Sequence, residues 1–288
     1  SCILNYLNDD GQSIEPNYYI PIIPMILVNG GIGIGTGFST NVPLFNPDDI
    51  IKSCLHICDT ISNKNININN INDMNTIYDI IDEISIQEFV PYYLGFNGSI
   101  TKDSKNQYES RGIYNWLSDT TLEITELPIG TWTENYKEFL ENIIQNNQFN
   151  LKSFESHYTA KNIKFILHFT PGARAIHNNI EKFENNFKLV STKNLSINNM
   201  HLYTENGAIK KYNNTSSILK EWSKIRLLKY FERKKCQIKN LENDYNILSN
   251  KIRFIIDVIN GNIKIMNVKL DIISKRLNEL NYSKIYKD

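Results

Sequence analysis

Apolar positions recur along this chain with two different periods. From Ile238 they step Ile238, Leu241, Tyr245, Leu248, Ile252, Ile255, Ile259, alternating three and four residues. That is an a/d seam, extended one heptad N-terminally by Phe231. With no Pro or Gly between 216 and 260, it predicts one helix roughly 65 Å long at 1.5 Å per residue. The 28 residues after Asn260 are interrupted at Gly261 and are too few to cover the seam, so a return helix is expected from missing sequence or another chain. Helical spacing also marks 77–89, 132–146 and 174–186. Asn46-Pro47-Asp48-Asp49 before IIKSCLHICDTI reads as a capped helix start with carboxylates in its first turn. Alternation punctuated by Gly and Asn over 92–127 predicts a β-meander, and KFILHF (164–169) a strand. FKLV (187–190) and HLYT (201–204) flank the polar loop STKNLSINN, and ENG (205–207) turns the chain into AIKKY. In IPIIPMILV (20–28) two prolines argue for an extended, buried entry rather than a helix. The stretch SNKNININNINDMN (62–75) reads as a solvated insertion.

Composition adds scale. A chain of 288 residues, 41% apolar and 22% charged, suits two modest domains with real cores. It has no apolar run of about 20 residues, so no membrane partner is expected. The N-terminus, SCILNYLNDDGQ, lacks a secretory pattern and an initiating Met, so an excised piece of a larger protein is expected. Cys2, Cys54, Cys58 and Cys236 contain no CxxC pair, which argues against a zinc site or disulfide framework and for a reducing, intracellular compartment. Cys54, His56 and Cys58 have ligand-like spacing, but a packed helix with both thiols on its buried side is the better account. Net charge is zero, yet residues 1–160 hold 7 basic and 20 acidic side chains while residues 161–239 hold 16 and 5. The basic middle suits either a polyanion or a solvated helix face.

The densest signal is NGGIGIGTGFSTNVP (29–43), which carries Gly30, Gly31, Gly33, Gly35 and Gly37. A dinucleotide fingerprint needs a third glycine where this chain has Thr36 or Phe38. A P-loop needs lysine where it has Thr36. What remains is two isoleucines, Ile32 and Ile34, on a backbone nearly bare of side chains. Such a tip can wedge between base pairs, or form a buried bulge with Ile34 in the core. On the residues alone the bulge stands ahead.

The segment DDGQSIEPNYYIPIIPMILVNGGIGIGTGFSTNVPLFNP (9–47) strongly resembles the DNA gate of eukaryotic-type DNA topoisomerase II, a type IIA enzyme. PYYLGFNGSI, LEITELPIGTWT, NIKFILHF, FKLV, GAIKKY and RFIIDVINGNIKIMN follow in the family's order. Gyrase A subunits share the glycine loop, but the ITELP and IKKY segments look more like the eukaryotic type. Gly31, Ile32 and Phe38 depart from the usual family residues, and the 188–199 loop is slightly longer.

The resemblance implies an α+β fold in four parts. Residues 1–47 end a winged-helix-like DNA-gate domain. Residues 48–215 form a mixed α/β tower domain, 216–260 a coiled-coil helix and 261–288 the start of the exit gate. It implies that Ile34 inserts into the gate duplex and bends it. Lys188, Ser191, Lys193, Asn194, Ser196 and Asn198 contact phosphates, which positions DNA without reading its sequence. The parent reaction it implies is ATP-dependent passage of one duplex through a Mg²⁺-assisted, tyrosine-linked break in another, by a homodimer. No Arg-Tyr dipeptide is present, so no catalytic residue and no metal or cofactor site is expected here. Tyr6, Tyr18 and Tyr19 read as packing aromatics. Asp9-Asp10 and Asp48-Asp49 read as a turn and a helix start. The partners expected are double-stranded DNA, a second copy of the enzyme and the return helix. The compartment implied is the nucleus, or the cytoplasm for a viral enzyme. Two readings stand against this: a coiled-coil scaffold with no DNA role, and a nucleotide-binding enzyme using the glycine loop.

Overall fold

A computed structural model describes residues 3–64, 72–102, 107–159 and 162–282. In chain order the elements are β1 (Tyr6–Asp9), β2 (Gln12–Pro16), α1 (Met25–Asn29), β3 (Gly31–Gly35), β4 (Phe38–Val42), α2 (Pro47–Asn63) and α3 (Asn72–Glu83). Then come β5 (Ser99–Lys102), β6 (Tyr108–Arg111), β7 (Ile113–Trp116), β8 (Thr121–Glu126), α4 (Thr133–Gln145), β9 (Leu151–Ser156) and β10 (Phe165–Phe169). The remainder are α5 (Ala173–Ile176), α6 (Ile180–Asn186), β11 (Val190–Ser191), β12 (Met200–Tyr203), β13 (Ile209–Tyr212), α7 (Thr215–Ile259) and α8 (Leu270–Glu279). Every strand pairing is antiparallel, in small sheets beside separate helices, which is the α+β class expected.

The chain forms two compact units, one of residues 21–225 and one of residues 1–20 with 226–288. These boundaries differ from the expected divisions at 47/48, 215/216 and 260/261. One lies inside α7, where no sequence break marks it. In the smaller unit the Arg226 guanidinium donates to the Ile20 carbonyl at 2.7 Å, tying the N-terminal segment to the helix.

The larger unit is built on the four-stranded sheet β7-β8-β10-β9, with α4 packed on it. Its core is aromatic. Phe187 is fully buried, with ring centroids 4.7 Å from Phe183 and 5.6 Å from both Phe149 and Phe169. Tyr136 stacks edge-on to Phe165 and donates its hydroxyl to the Phe187 carbonyl at 2.9 Å. The predicted meander is split. β5 and β6 join β11 in a three-stranded sheet, while β7 and β8 enter the larger one. Gly112 makes the step between them, where a Cβ would stand 2.4 Å from the Glu126 carbonyl oxygen.

Two further readings are corrected. Met25–Asn29 is helical, because Pro24 sits at the helix N-cap with φ −70°, where its missing N–H costs nothing. The predicted helix at 174–186 is two short ones, the second capped by the Asn179 side chain accepting from the Lys182 N–H. FKLV contributes only Val190 to a strand. The Asn46 cap holds, its Oδ1 accepting from the Asp48 N–H at 3.0 Å. Much of the 62–75 insertion lies outside the described residues, and α3 begins at Asn72.

In the smaller unit β1 and β2 form a hairpin. The seam residues Ile238 to Ile259 are between 46% and 77% exposed, so nothing in the described chain covers them, whereas Phe231 is buried. Gly261, at φ +77°, ends the helix as expected. Among the described residues no helix is long and apolar enough to cross a membrane.

Candidate nucleic-acid interface

The glycine loop is a β-ribbon. β3 pairs with β4 from Gly31↔Val42 to Gly35↔Phe38, so only Thr36 and Gly37 form the turn. Gly37 takes φ +78°, which favours glycine there. Gly30 is the other position that needs it, since at φ +62° a Cβ would stand 2.7 Å from the Val42 carbonyl oxygen. Gly33 and Gly35 have room for a Cβ. Because the loop leads into a strand rather than a helix, it does not have the strand–loop–helix form of either nucleotide motif.

Ile34 is 94% exposed and Ile32 69%, on the same face of β3. This overturns the buried-bulge reading. An isoleucine so exposed contributes nothing to the core. Its position near the tip, with Phe38 half-exposed beside it, leaves a small apolar point projecting from a narrow ribbon.

The 188–199 segment lies on the same unit. Leu195 is fully buried and anchors its middle. Ser191, in β11, receives the Ser110 hydroxyl on its carbonyl at 3.2 Å, while Ser110 Oγ accepts from the Ile129 N–H. A buried serine therefore joins the loop to the ELPIG turn. Ser191 Oγ accepts from the Lys193 N–H and Ser196 Oγ from the Asn198 N–H, so both hydroxyls shape the loop. Asn194 takes φ +60°, and its carbonyl accepts from the Tyr93 hydroxyl at 2.9 Å. Lys193, Asn194 and Asn198 are exposed. Lys188 sets its ammonium 4.0 Å from the Phe139 ring centroid.

Several residues of this surface were not legible as such. Asn199 Nδ2 donates to Ser39 Oγ at 2.8 Å, and the Asn199 carbonyl accepts from the Asn41 N–H at 2.7 Å. The His201 N–H donates to Thr40 Oγ1, and its ring lies 6.0 Å from Phe38. Next to these, the Tyr203 side chain is exposed and Lys211 stands opposite His201 in the β12–β13 pair. Lys211 is exposed, whereas Lys210 is bound to Glu221 at 2.5 Å. Much of the basic middle is similarly paired, as in Lys164–Glu123 and Lys224–Asp82.

Other candidates fare differently. On α2 the buried positions are Ile50, Ile57 and Ile61; Cys54 is only partly buried and Cys58 is exposed, against the expectation that both thiols face inward. Burial, and secondarily Cys58, pushes the Cys54 thiol up to about 11, which disfavours the thiolate a metal or an alkylating agent needs. Near neutral pH, Cys54 is expected to react with iodoacetamide about a hundredfold more slowly than an unperturbed thiol, as read by mass spectrometry of the peptide. Among the described residues no group of three or more His, Cys, Asp and Glu is arranged to hold a metal ion. Asp10 is in the β1–β2 turn at φ +46°, and Asp48 and Asp49 lie in the first turn of α2. Tyr19 is 71% exposed, so a packing role does not describe it.

A two-stranded ribbon with an exposed apolar tip thus stands against the end of a polar loop in the larger unit. The family model that describes the A subunit of DNA gyrase/topoisomerase IV matches residues 1–287, and the chain belongs to that family. It is 37% identical over 287 residues to DNA topoisomerase 2 of Plasmodium falciparum and 34% over 288 residues to that of Candida albicans. Each alignment covers 99% of this chain, but only 19% and 18% of those relatives. The crystal structure of the Plasmodium falciparum topoisomerase II DNA-binding, cleavage and re-ligation domain superimposes with a TM-score of 0.75 at 36% identity, covering 97% of this chain and 35% of that one. The chain thus spans about a fifth of the length of the curated relatives it matches.

Proposed function

We propose that this chain is the duplex-holding and duplex-bending part of a eukaryotic-type DNA topoisomerase II. The observation that carries the reading is the 94% exposure of Ile34 on its short ribbon. In this reading Ile34 enters between stacked base pairs of the gate duplex. Unstacking costs a few kcal/mol per step and is offset by the extra protein surface that bent DNA contacts. Lys193, Asn194 and Asn198 hold phosphates, with Ser191 and Ser196 shaping the loop, and Lys211 adds a cation from the neighbouring strand. Lys188 steadies the base of the loop through Phe139.

The complete enzyme would be an ATP-dependent homodimer that passes a second duplex through the break. It would work inside the cell, in the nucleus, or in the cytoplasm for a viral enzyme. Asp9-Asp10 and Asp48-Asp49 lie at a turn and in the first turn of a helix and do not suit Mg²⁺, and in this reading other parts of the enzyme supply the metal site and the nucleophilic tyrosine. This segment alone is then without cleavage or relaxation activity. The exposed α7 seam takes the return helix of the coiled coil.

The test is duplex binding by this chain, followed by fluorescence anisotropy across a salt series. Log affinity is expected to fall linearly with log salt, and Lys193→Ala to reduce the slope by about one. Binding that ignores salt would remove the phosphate-gripping role.

A further inference from the structure

We propose that Asn199 and His201 are positioning residues that brace the Ile34 ribbon and join it to the phosphate-gripping loop as one mechanical element. The proposal rests on the wedge reading above and deepens it. A lone two-stranded ribbon is marginally stable in water. This one holds its most exposed side chain near its tip, so resistance to being pushed back must come from the strand behind it. β4 meets residues 199–201 at four successive positions. Phe38 contacts the His201 ring, Ser39 Oγ accepts from Asn199 Nδ2, Thr40 Oγ1 accepts from the His201 N–H, and the Asn41 N–H donates to the Asn199 carbonyl.

A fifth contact orients the brace. His201 Nδ1 lies 2.9 Å from Asn199 Oδ1. With the Asn199 amide nitrogen turned to Ser39, its oxygen faces the imidazole, so Nδ1 must carry the hydrogen and donate. The Lys193–Asn198 segment ends where Asn199 begins, so force on the phosphate grip and force on the tip meet in the same residues. Replacing the brace should therefore loosen the tip without removing the grip.

The experiment uses the complete enzyme with a gate duplex carrying a donor–acceptor dye pair, read for bent fraction and separately for affinity at low salt. His201→Ala and Asn199→Ala are expected to lower the bent fraction about fivefold, the scale of one lost hydrogen bond, with affinity within about twofold. His201→Asn keeps a donor near the Nδ1 position and is expected to recover most of the bending. Unchanged thermal midpoints separate this from misfolding. Ile34→Ala runs alongside. If it bends DNA like the parent, the wedge reading itself fails and the brace with it. If it loses bending while His201→Ala and Asn199→Ala keep theirs, the brace alone is overturned. If His201→Asn bends as poorly as His201→Ala, the hydrogen bond from Nδ1 is not what positions the tip, and the proposal is likewise rejected.

Discussion

Ile34→Ala is expected to abolish most duplex bending by the complete enzyme while leaving the fold intact. The change removes three carbons worth about 0.8 kcal/mol each when desolvated, together roughly 2–2.5 kcal/mol. At 1.4 kcal/mol per tenfold, the bent population should fall about 30- to 60-fold. In the free protein those carbons face water, since Ile34 is 94% exposed, so stability should move by less than about 0.5 kcal/mol. The pairing of a large functional loss with an unmoved melting temperature is the signature to look for, by resonance energy transfer on labelled DNA and by calorimetry. Equal bending by the alanine variant would count against the role given to this side chain.

Phe187→Ala is expected to do the reverse. Phe187 is fully buried among Phe149, Phe169, His177 and Phe183, with centroids 4.7–5.8 Å away, and its carbonyl receives the Tyr136 hydroxyl. Removing the ring leaves a cavity that such a dense aromatic cluster cannot readily close. A loss of about 3–5 kcal/mol is expected in urea unfolding. Because Lys188 follows directly, DNA binding should weaken only as the loop loses its base. A cost under about 1 kcal/mol would mean that this cluster is not the core of the larger unit.

Local elements were legible where one short-range signal decides them. The three-four spacing placed the C-terminal half of α7 and the absence of Pro and Gly over 216–260 its extent, the Asn46-Pro47 pair placed the start of α2, and ENG placed the β12–β13 turn. What escaped depended on distant partners. Nothing between 92 and 127 says that Gly112 passes the chain from one sheet to another, because the neighbour that demands glycine is the backbone at Glu126. Pro24 read as a helix breaker because the same ring can open a helix or end one. Within the site, the glycine pattern and the family resemblance named Ile34, yet its exposure is a statement about what fails to cover it. Lys188 looked like a phosphate ligand from its loop, and only the fold sets it over Phe139. Asn199 and Ser39, 160 residues apart, carry no shared motif that would announce their contact.

The two-residue turn between Gly35 and Phe38 makes the reach of the ribbon a stepwise quantity. Side chains alternate between faces along each arm, so inserting one residue per arm would send Ile34 to the opposite side, and only insertions of two residues in each arm, at about 3.3 Å per residue, preserve its heading. Divergence among such tips is therefore channelled into exchanging the side chain at a fixed height rather than adjusting how far it extends.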